Sequence, residues 1–495
     1  MSRRALNQDG GMIDRHCSNT SYWRRIARAA SAACALNVVV VAGPVAGAQE
    51  ATDAPLTLSA AVDQALRTHP ATREARAGSA AALAEVDVAR TAYLPRLDML
   101  WQVNHATRNN VFGLVLPQPV LPLVSGPVVA KTMDGVWSSA GGLLLSWEAV
   151  DFGRRKATVD VARAESGAAD ALGRATALDI ASAAADAYLG VLSAEASLAA
   201  AHANVVRLET FATTVRALVQ NQLRAGAEQS RADAELAAAR NRQTDARRNA
   251  ELARLALAEA LGRPGTPIVL APGPLLQPPA RLLATEAFAP ATHPRAVAAN
   301  AQTEAIRAHD RALDRSYFPR IELQAALAGR GVGRQIDGTS SGSGLALDVP
   351  NWAVGLSVTF PALEVFRTQA KRRVEAERVG EATARYDRTL QALQTQEARA
   401  RTVITAAYEI AANTPQQLQA ARDGEAQARA RYDSGLTNVL EVAEAQRLLA
   451  EAEAESAVAN LAVWRALLAD AVLRGDIQPF LNQVRAPQSV TTPDR

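Results

Sequence analysis

The residues that could do chemistry are few, and their spacing assembles none of it. Six histidines stand at 16, 69, 105, 202, 293 and 309. No two are three or four residues apart, the separation that would set two imidazoles on one helix face for a metal. Asp151-Phe152-Gly153 matches a kinase metal-binding triplet, yet neither a catalytic-loop motif nor a Gly-rich phosphate loop accompanies it. No Ser, His and Asp fall in a pattern that argues for a nucleophile with its base. Cys17 and Cys34, the two cysteines, both lie in the first 48 residues, so the rest of the chain has no disulfide and no thiolate ligand. These patterns predict no catalysis, no metal and no cofactor. His69 and His293 each precede a proline and are expected to cap or pack at a helix start.

The beginning of the chain reads as a leader. A basic stretch ending in YWRRIARAA runs into SAACALNVVVVAGPVAGA and closes on Ala-Gly-Ala at 46–48. That apolar run is too short to span a bilayer comfortably and fits a secretory signal peptide over residues 1–48, with Met12 an alternative start. Cys34 sits early in the run behind Ser31, so a lipid anchor is not expected. The leader carries six Arg against two Asp, and its removal turns the formal +3 of the whole chain into about −1. A pI near 9.0 therefore does not announce a nucleic-acid partner. With aromatics at only 4% and abundant Ala, the remaining residues suit long thin helices better than thick cores.

Those helices are written twice. HPATREARAGSAAALAEVDVARTAYLP, from His69, is echoed by HPRAVAANAQTEAIRAHDRALDRSYFP, from His293. GLLLSWEAVDFGRRKA, from Gly142, is matched by GLSVTFPALEVFRTQA, from Gly355. Two further landmarks, around Tyr188 and Tyr408 and around Gly226 and Gly435, keep the same order. The expected plan is a first repeat over 49–262, a Pro/Gly-rich linker over 263–280, a second repeat over 281–478 and a flexible tail over 479–495. Each repeat reads as helix, strand, loop, strand, long helix, turn, long helix.

Four runs alternate with period two: about 96–106, 137–147, 320–328 and 352–360. One face collects Leu97, Met99, Trp101 and Val103; Trp137, Leu143, Leu145 and Trp147; Ile321, Leu323 and Leu327; and Trp352, Val354, Leu356, Val358 and Phe360. Alternation alone also suits half-buried strands of a soluble sheet. The runs are close to the 9 to 11 residues of a tilted membrane strand, however, and Trp101, Trp137, Trp147, Trp352 and Phe360 are placed as an interfacial girdle against lipid. Four strands cannot close, and an open edge in lipid is forbidden, so copies must combine; three copies would supply twelve strands. Val442, Ala445, Leu449, Ala452, Ser456, Ala459, Val463 and Ala466 follow an unbroken 3,4 spacing, and Leu208, Phe211, Val215 and Leu218 a shorter one. Such seams make coiled coils, and their small residues allow close helix approach.

With LTLSAAVDQALRTHP, AYLPRLDML, LLLSWEAVDFGRRKA and YDSGLTNVLEVAEAQ in order, the chain resembles the TolC family of outer-membrane efflux and secretion ducts over nearly all of 56–478. The resemblance implies a mainly α protein with membrane β: a homotrimer whose twelve-stranded barrel in outer-membrane lipid continues as an α-helical barrel through the periplasm. It also implies a periplasmic adaptor and an inner-membrane pump of the RND or ABC type, and the pump, not this chain, chooses the cargo. The helix turns, Gly226 to Asp233 and Gly435 to Glu441, would be the periplasmic tips, with the glycines supplying positive φ. Carboxylates of Asp233 and Glu441 converging on a threefold axis would repel one another and favour cations; either acid equally suits the first turn of its helix. Departures from the family pattern are the missing Gly at Glu364-Val365-Phe366, an apparent 11-residue shortening between Tyr408 and Gly435, and Asn413-Thr414-Pro415, expected to kink its helix. The competing reading is a periplasmic coiled-coil adaptor or scaffold without a channel.

Overall fold

A computed structural model describes residues 55–107, 135–277, 279, 288–333 and 342–485. The leader, the inter-strand segments 108–134 and 334–341, and the tail beyond 485 lie outside them. In chain order the elements are α1 (Leu58–Thr68), α2 (Pro70–Thr91), β1 (Arg96–Thr107), β2 (Gly135–Val150), α3 (Arg154–Gln220) and α4 (Gly226–Ala260). The second half gives α5 (Pro294–Asp314), β3 (Arg320–Val332), β4 (Val349–Thr359), α6 (Glu364–Asp433), α7 (Val439–Leu473) and α8 (Gln478–Arg485). All four strands extend beyond the alternating cores read from the sequence at one end or both, except that β4 ends one residue early. The tail expected from 479 begins inside α8, where Phe480 and Leu481 are buried.

The strands form one antiparallel sheet in the order β1-β2-β3-β4. Directly opposed residues share a face. The row Met99, Leu143, Leu327, Trp352 is flanked by Leu97, Leu145, Ala325, Val354 and by Trp101, Gly141, Gly329, Pro350. Along the other face run Asp98, Gln102, Ser146, Glu148, Glu322, Gln324, Ser357 and Thr359. The apolar side is open: Met99 is 85% exposed, Trp352 79% and Trp101 70%.

Beneath the sheet run two very long helices, α3 with 67 residues and α6 with 70, each about 100 Å at 1.5 Å per residue. Each pairs with shorter helices, α3 with α2 and then α4, α6 with α5 and then α7. Ion pairs fix the register of the first hairpin: Glu195 faces Arg254, Glu209 faces Arg240 and Asp233 faces Arg216. Each step down one helix equals a step up the other. Half-exposed pairs of this kind add little stability apiece; burial comes from the seams, where Val442, Leu449, Ala452, Val463, Val215, Phe211 and Leu208 are all buried.

Two expectations about these helices fail. α6 runs unbroken through Pro415, with Thr414 Oγ1 donating to the Ile410 carbonyl at 2.6 Å. It is also not shortened. β1 and β3 begin at Arg96 and Arg320, 224 residues apart, whereas α4 and α7 begin at Gly226 and Val439, 213 apart. The missing 11 residues therefore lie between the strands, and Tyr188 and Tyr408 are not equivalent positions. The three-residue excess of α6 over α3 is the absent Asp-Phe-Gly turn, since without it the helix starts at Glu364.

Duplicated caps join the halves to a common core. His69 Nδ1 accepts from Ala71 N at 3.2 Å, and His293 Nδ1 from Arg295 N at 3.1 Å, with the proline that follows each at N1. Gly262 (φ 67) lies against His69 and Gly475 (φ 85) against His293 and Pro294. Nearby, Tyr188, Trp464, Phe480, Leu257, Leu261 and Val62 form the largest buried cluster. Burial pushes the Tyr188 phenol up to about 12, so it stays protonated with its hydroxyl 2.6 Å from the Ala271 carbonyl.

Burial depresses the His293 pKa below 6.5, against the opposing pull of the Val472 carbonyl. A depressed histidine keeps its full stabilising effect above 6.5 and loses it as the unfolded chain takes up protons below that value. Thermal stability is therefore expected to fall as pH drops from about 7 to 5, and His293→Asn, which preserves an N-cap, to flatten that slope while His293→Ala costs about 1 kcal/mol. Melting curves across this pH range provide the check; an unchanged slope in the Asn variant would assign the effect elsewhere.

Candidate functional site

Two places hold side chains that the scaffold alone does not require. One is the end of the helices farthest from the sheet. There α3 passes to α4 through 221–225, and α6 to α7 through 434–438. Both helices close alike: Leu223 N–H donates to the Leu218 carbonyl and Leu436 N–H to the Arg431 carbonyl, each at 2.9 Å, the six-to-one bond of a Schellman motif. That motif needs one left-handed residue. Gly435 supplies it at φ 74, and Gln222 at φ 57.

Gly226 thus does not turn the chain. It is the first residue of α4, and beyond its own stretch of helix nothing lies within 4 Å of where its Cβ would stand. Its counterpart across the 213-residue repeat is Val439, and that of Gly435 is Gln222. By the same offset the counterpart of Glu441 is Glu228, not Asp233. Glu228 and Glu441 both occupy first helical turns, where the macrodipole favours them. Asp233 stands farther along α4 and is paired with Arg216 at 2.9 Å.

Residues that the motif search overlooked bind the two turns together. Arg224 donates to the Tyr432 carbonyl at 2.9 Å and to the Thr437 carbonyl at 3.5 Å. Its guanidinium lies 4.5 Å from the centre of the Tyr432 ring. Tyr432, 1% exposed, donates its hydroxyl to Glu228 at 2.9 Å and packs edge-on to Phe211. Burial, then the Glu228 carboxylate, pushes this phenol up to about 12, so it remains a donor at any physiological pH. Glu441 is held separately, by Arg431 at 2.9 Å and by the Thr437 hydroxyl. Its charge is compensated within one copy. The arrangement is mechanical: it joins the hairpin of the first repeat to that of the second.

The other place is the apolar face of the sheet. The register puts Trp101, Trp137, Trp147 and Trp352 on that single face, and Phe360 follows one residue after β4 with the same parity. Trp147 and Phe360 are repeat counterparts. Trp147 Nε1 donates to the Tyr93 carbonyl at 3.2 Å, so the indole has an apolar body turned outward and a satisfied polar end. Among the described residues no three His, Asp or Glu side chains converge as a metal site.

The turn assignment is testable by substitution. Gly226→Ala is expected to be neutral or to stabilise by up to about 1 kcal/mol, because a helical Gly becomes Ala. Gly435→Ala is expected to cost about 1–2 kcal/mol by forcing a Cβ into left-handed backbone. Equal losses from the two substitutions, measured by thermal melting, would restore Gly226 as a turn residue.

Comparison with known proteins follows the same lines. The outer membrane efflux protein family matches residues 61–263 and 289–472, the two repeats without their linker. Curated proteins yield no match in sequence. Among solved structures, the outer-membrane channel OprN superposes with a TM-score of 0.67 at 23% identity, covering 84% of this chain and 89% of that one. CusC, described for transmembrane channel formation, gives 0.71 at 18% identity, with coverages of 85% and 92%. The open-state MtrE channel of Neisseria gonorrhoeae gives 0.66 at 22%, with coverages of 85% and 89%. The chain belongs to the outer membrane efflux protein family, and carries the fold of the outer-membrane channels OprN, CusC and MtrE.

Proposed function

We propose that three copies close one duct, and that the cluster joining the two helix tips sets its resting aperture. The observation that carries the first part is the pair of bare edges: among the described residues β1 pairs only with β2, and β4 only with β3. In lipid each unpaired backbone group costs several kcal/mol, so β4 of one copy pairs with β1 of the next until the ring closes. Twelve strands give a lumen, lined by the face that carries Asp98, Gln102, Glu322 and Gln324. The leader 1–48 is removed on export, and the repeats 49–262 and 281–478, joined by 263–280, supply the wall.

The tips meet a periplasmic adaptor, which connects the duct to an inner-membrane RND or ABC pump. Cargo is chosen by the pump, so drugs, metals and polypeptides are all compatible with this chain, and transport needs no catalysis by it. Arg224, Glu228 and Tyr432 hold the hairpins of the two repeats together at rest, and parting them widens the mouth. Asp233 and Glu441 bring carboxylates to the mouth that are paired within one copy, with Arg216 and Arg431.

Trimers that dissociate on heating, and ion conductance in planar bilayers, test the assembly; a water-soluble species without conductance would leave the scaffold reading standing. Tyr432→Phe and Glu228→Ala each remove a hydrogen bond worth about 1–2 kcal/mol. Resting conductance should therefore rise roughly five- to thirtyfold, and conductance equal to that of the unmodified duct would remove the cluster from the gate. Glu441→Gln leaves the Arg431 charge uncompensated at the mouth and is expected to lower cation preference in reversal-potential measurements; no shift would remove this pair from the conducting path.

A further inference from the structure

The turn that links β2 to α3 contains an unusual conformation. Phe152 has φ 51, left-handed backbone in a residue with a bulky side chain, and Gly153 follows at φ 87. A left-handed non-Gly residue costs about 1–2 kcal/mol, and such strain persists where it serves something. Burial within the chain does not repay it: the Phe152 ring is 43% exposed and stacks on Phe318, 41% exposed, at 5.7 Å and 20°.

Position narrows the purpose. Val150 and Ile321 are cross-strand partners at the foot of the sheet, and Phe152 and Phe318 continue β2 and β3 just past that pair. These strands are central to the sheet, so a neighbouring copy joining at β1 or β4 leaves the ring pair uncovered. The guanidinium of Arg315 lies 5.9 Å from the centre of the Phe318 ring. Nearby cations are tied to carboxylates, Arg154 to Glu148, Arg155 to Asp151 at 2.9 Å, and Arg372 to Asp314 at 3.0 Å. Arg315 has no acidic partner among the described residues.

We propose that this junction is a phospholipid site of the periplasmic leaflet, in which Phe152 and Phe318 form an apolar shelf for the glycerol and upper acyl region and Arg315 binds the headgroup phosphate. Exposed rings are favoured at the depth where acyl chains meet headgroups. A planar guanidinium held beside them matches a phosphate, and an uncompensated cation selects anionic phosphatidylglycerol over neutral phosphatidylethanolamine. The site rests on the reading of the apolar sheet face as lipid-facing.

Because no cysteine follows Cys34, single cysteines label cleanly. The full duct carrying Phe152→Cys, Phe318→Cys or Trp352→Cys, each bearing bimane, is reconstituted in bilayers of phosphatidylglycerol and phosphatidylethanolamine, with and without bromine near the top of the acyl chains. Quenching by the brominated lipid at 152 and 318 is expected. Quenching there by aqueous iodide alone, with the 352 label still quenched by lipid, would overturn the site and leave the membrane sheet intact. If the 352 label also ignored brominated lipid, the lipid-facing reading itself would fall. Arg315→Gln should lower phosphatidylglycerol retained by the purified duct about fivefold, as expected for one interfacial charge, with phosphatidylethanolamine unchanged. Equal retention would remove Arg315 as the phosphate ligand.

Discussion

Hydrogen bonding at the edge of a sheet governs this molecule. A strand edge in water finds solvent partners; the same edge in hydrocarbon finds none, and only closure removes it. Among the described residues one chain supplies four strands with an unpaired edge on either side, an unfinished sheet for hydrocarbon. The apolar face behaves in the same way. Met99, Trp101 and Trp352 stand open on one side while Asp98, Gln102 and Glu322 share the other, a partition that stabilises only when hydrocarbon lies outside and water inside.

Once the sheet must close through copies, the helices inherit the geometry. α3 and α6 leave β2 and β4 and run about 100 Å before turning, and each is braced along its length by shorter antiparallel helices. Their seams are rich in Ala, so buried area per residue is small and stability accumulates over length rather than in a thick core. Register is then the vulnerable quantity. Evenly stepped ion pairs along the α3–α4 hairpin hold it, and Schellman turns close both hairpins so that neither helix can slide by a turn.

Much of this was legible in the residues. Period-two alternation marked all four strands and the parity that gathers their apolar residues on one face, since alternation and cross-strand register report the same parity. The 3,4 spacing marked the buried seam of α7. Legibility failed where one residue type was taken as the signature of a conformation. Gly226 and Gly435 resemble each other as glycines, but the conformation that recurs belongs to Gln222 and Gly435, because a Schellman turn tolerates a non-Gly residue at modest cost. Matching the glycines shifted the tip by four residues and hid Glu228 behind Asp233; matching Tyr188 with Tyr408, seven residues off the 213 repeat, supplied the rest of the apparent shortening of α6. The offset of 213 already visible between Gly142 and Gly355 carried the right answer. Arg224 and Tyr432 had no motif at all: an Arg that finds two carbonyls across a turn is recognisable only once the hairpins are side by side.

The two repeats are equal in length but not in how they are fastened, and the difference has a direction. In the first repeat Asp151 accepts from Gly153 N, from Arg155 N at 2.6 Å and from Arg155 Nε at 2.9 Å, locking the step from β2 into α3. Arg155 also reaches the Ala92 carbonyl at 3.5 Å, so the passage from α2 to β1 is held by the same side chain. The second repeat has Glu364 and the neutral, buried Thr368 at these positions, with no ion pair between them. Its helix begins directly after Pro361-Ala362-Leu363, without a left-handed turn. A duplicated chain thus has one long helix locked to its strand by the Asp151–Arg155 pair and a twin that leaves its strand without such a clamp, held near the sheet by Arg372 on Asp314 at 3.0 Å. At the opposite end Arg224 and Tyr432 tie the hairpin of the second repeat to that of the first.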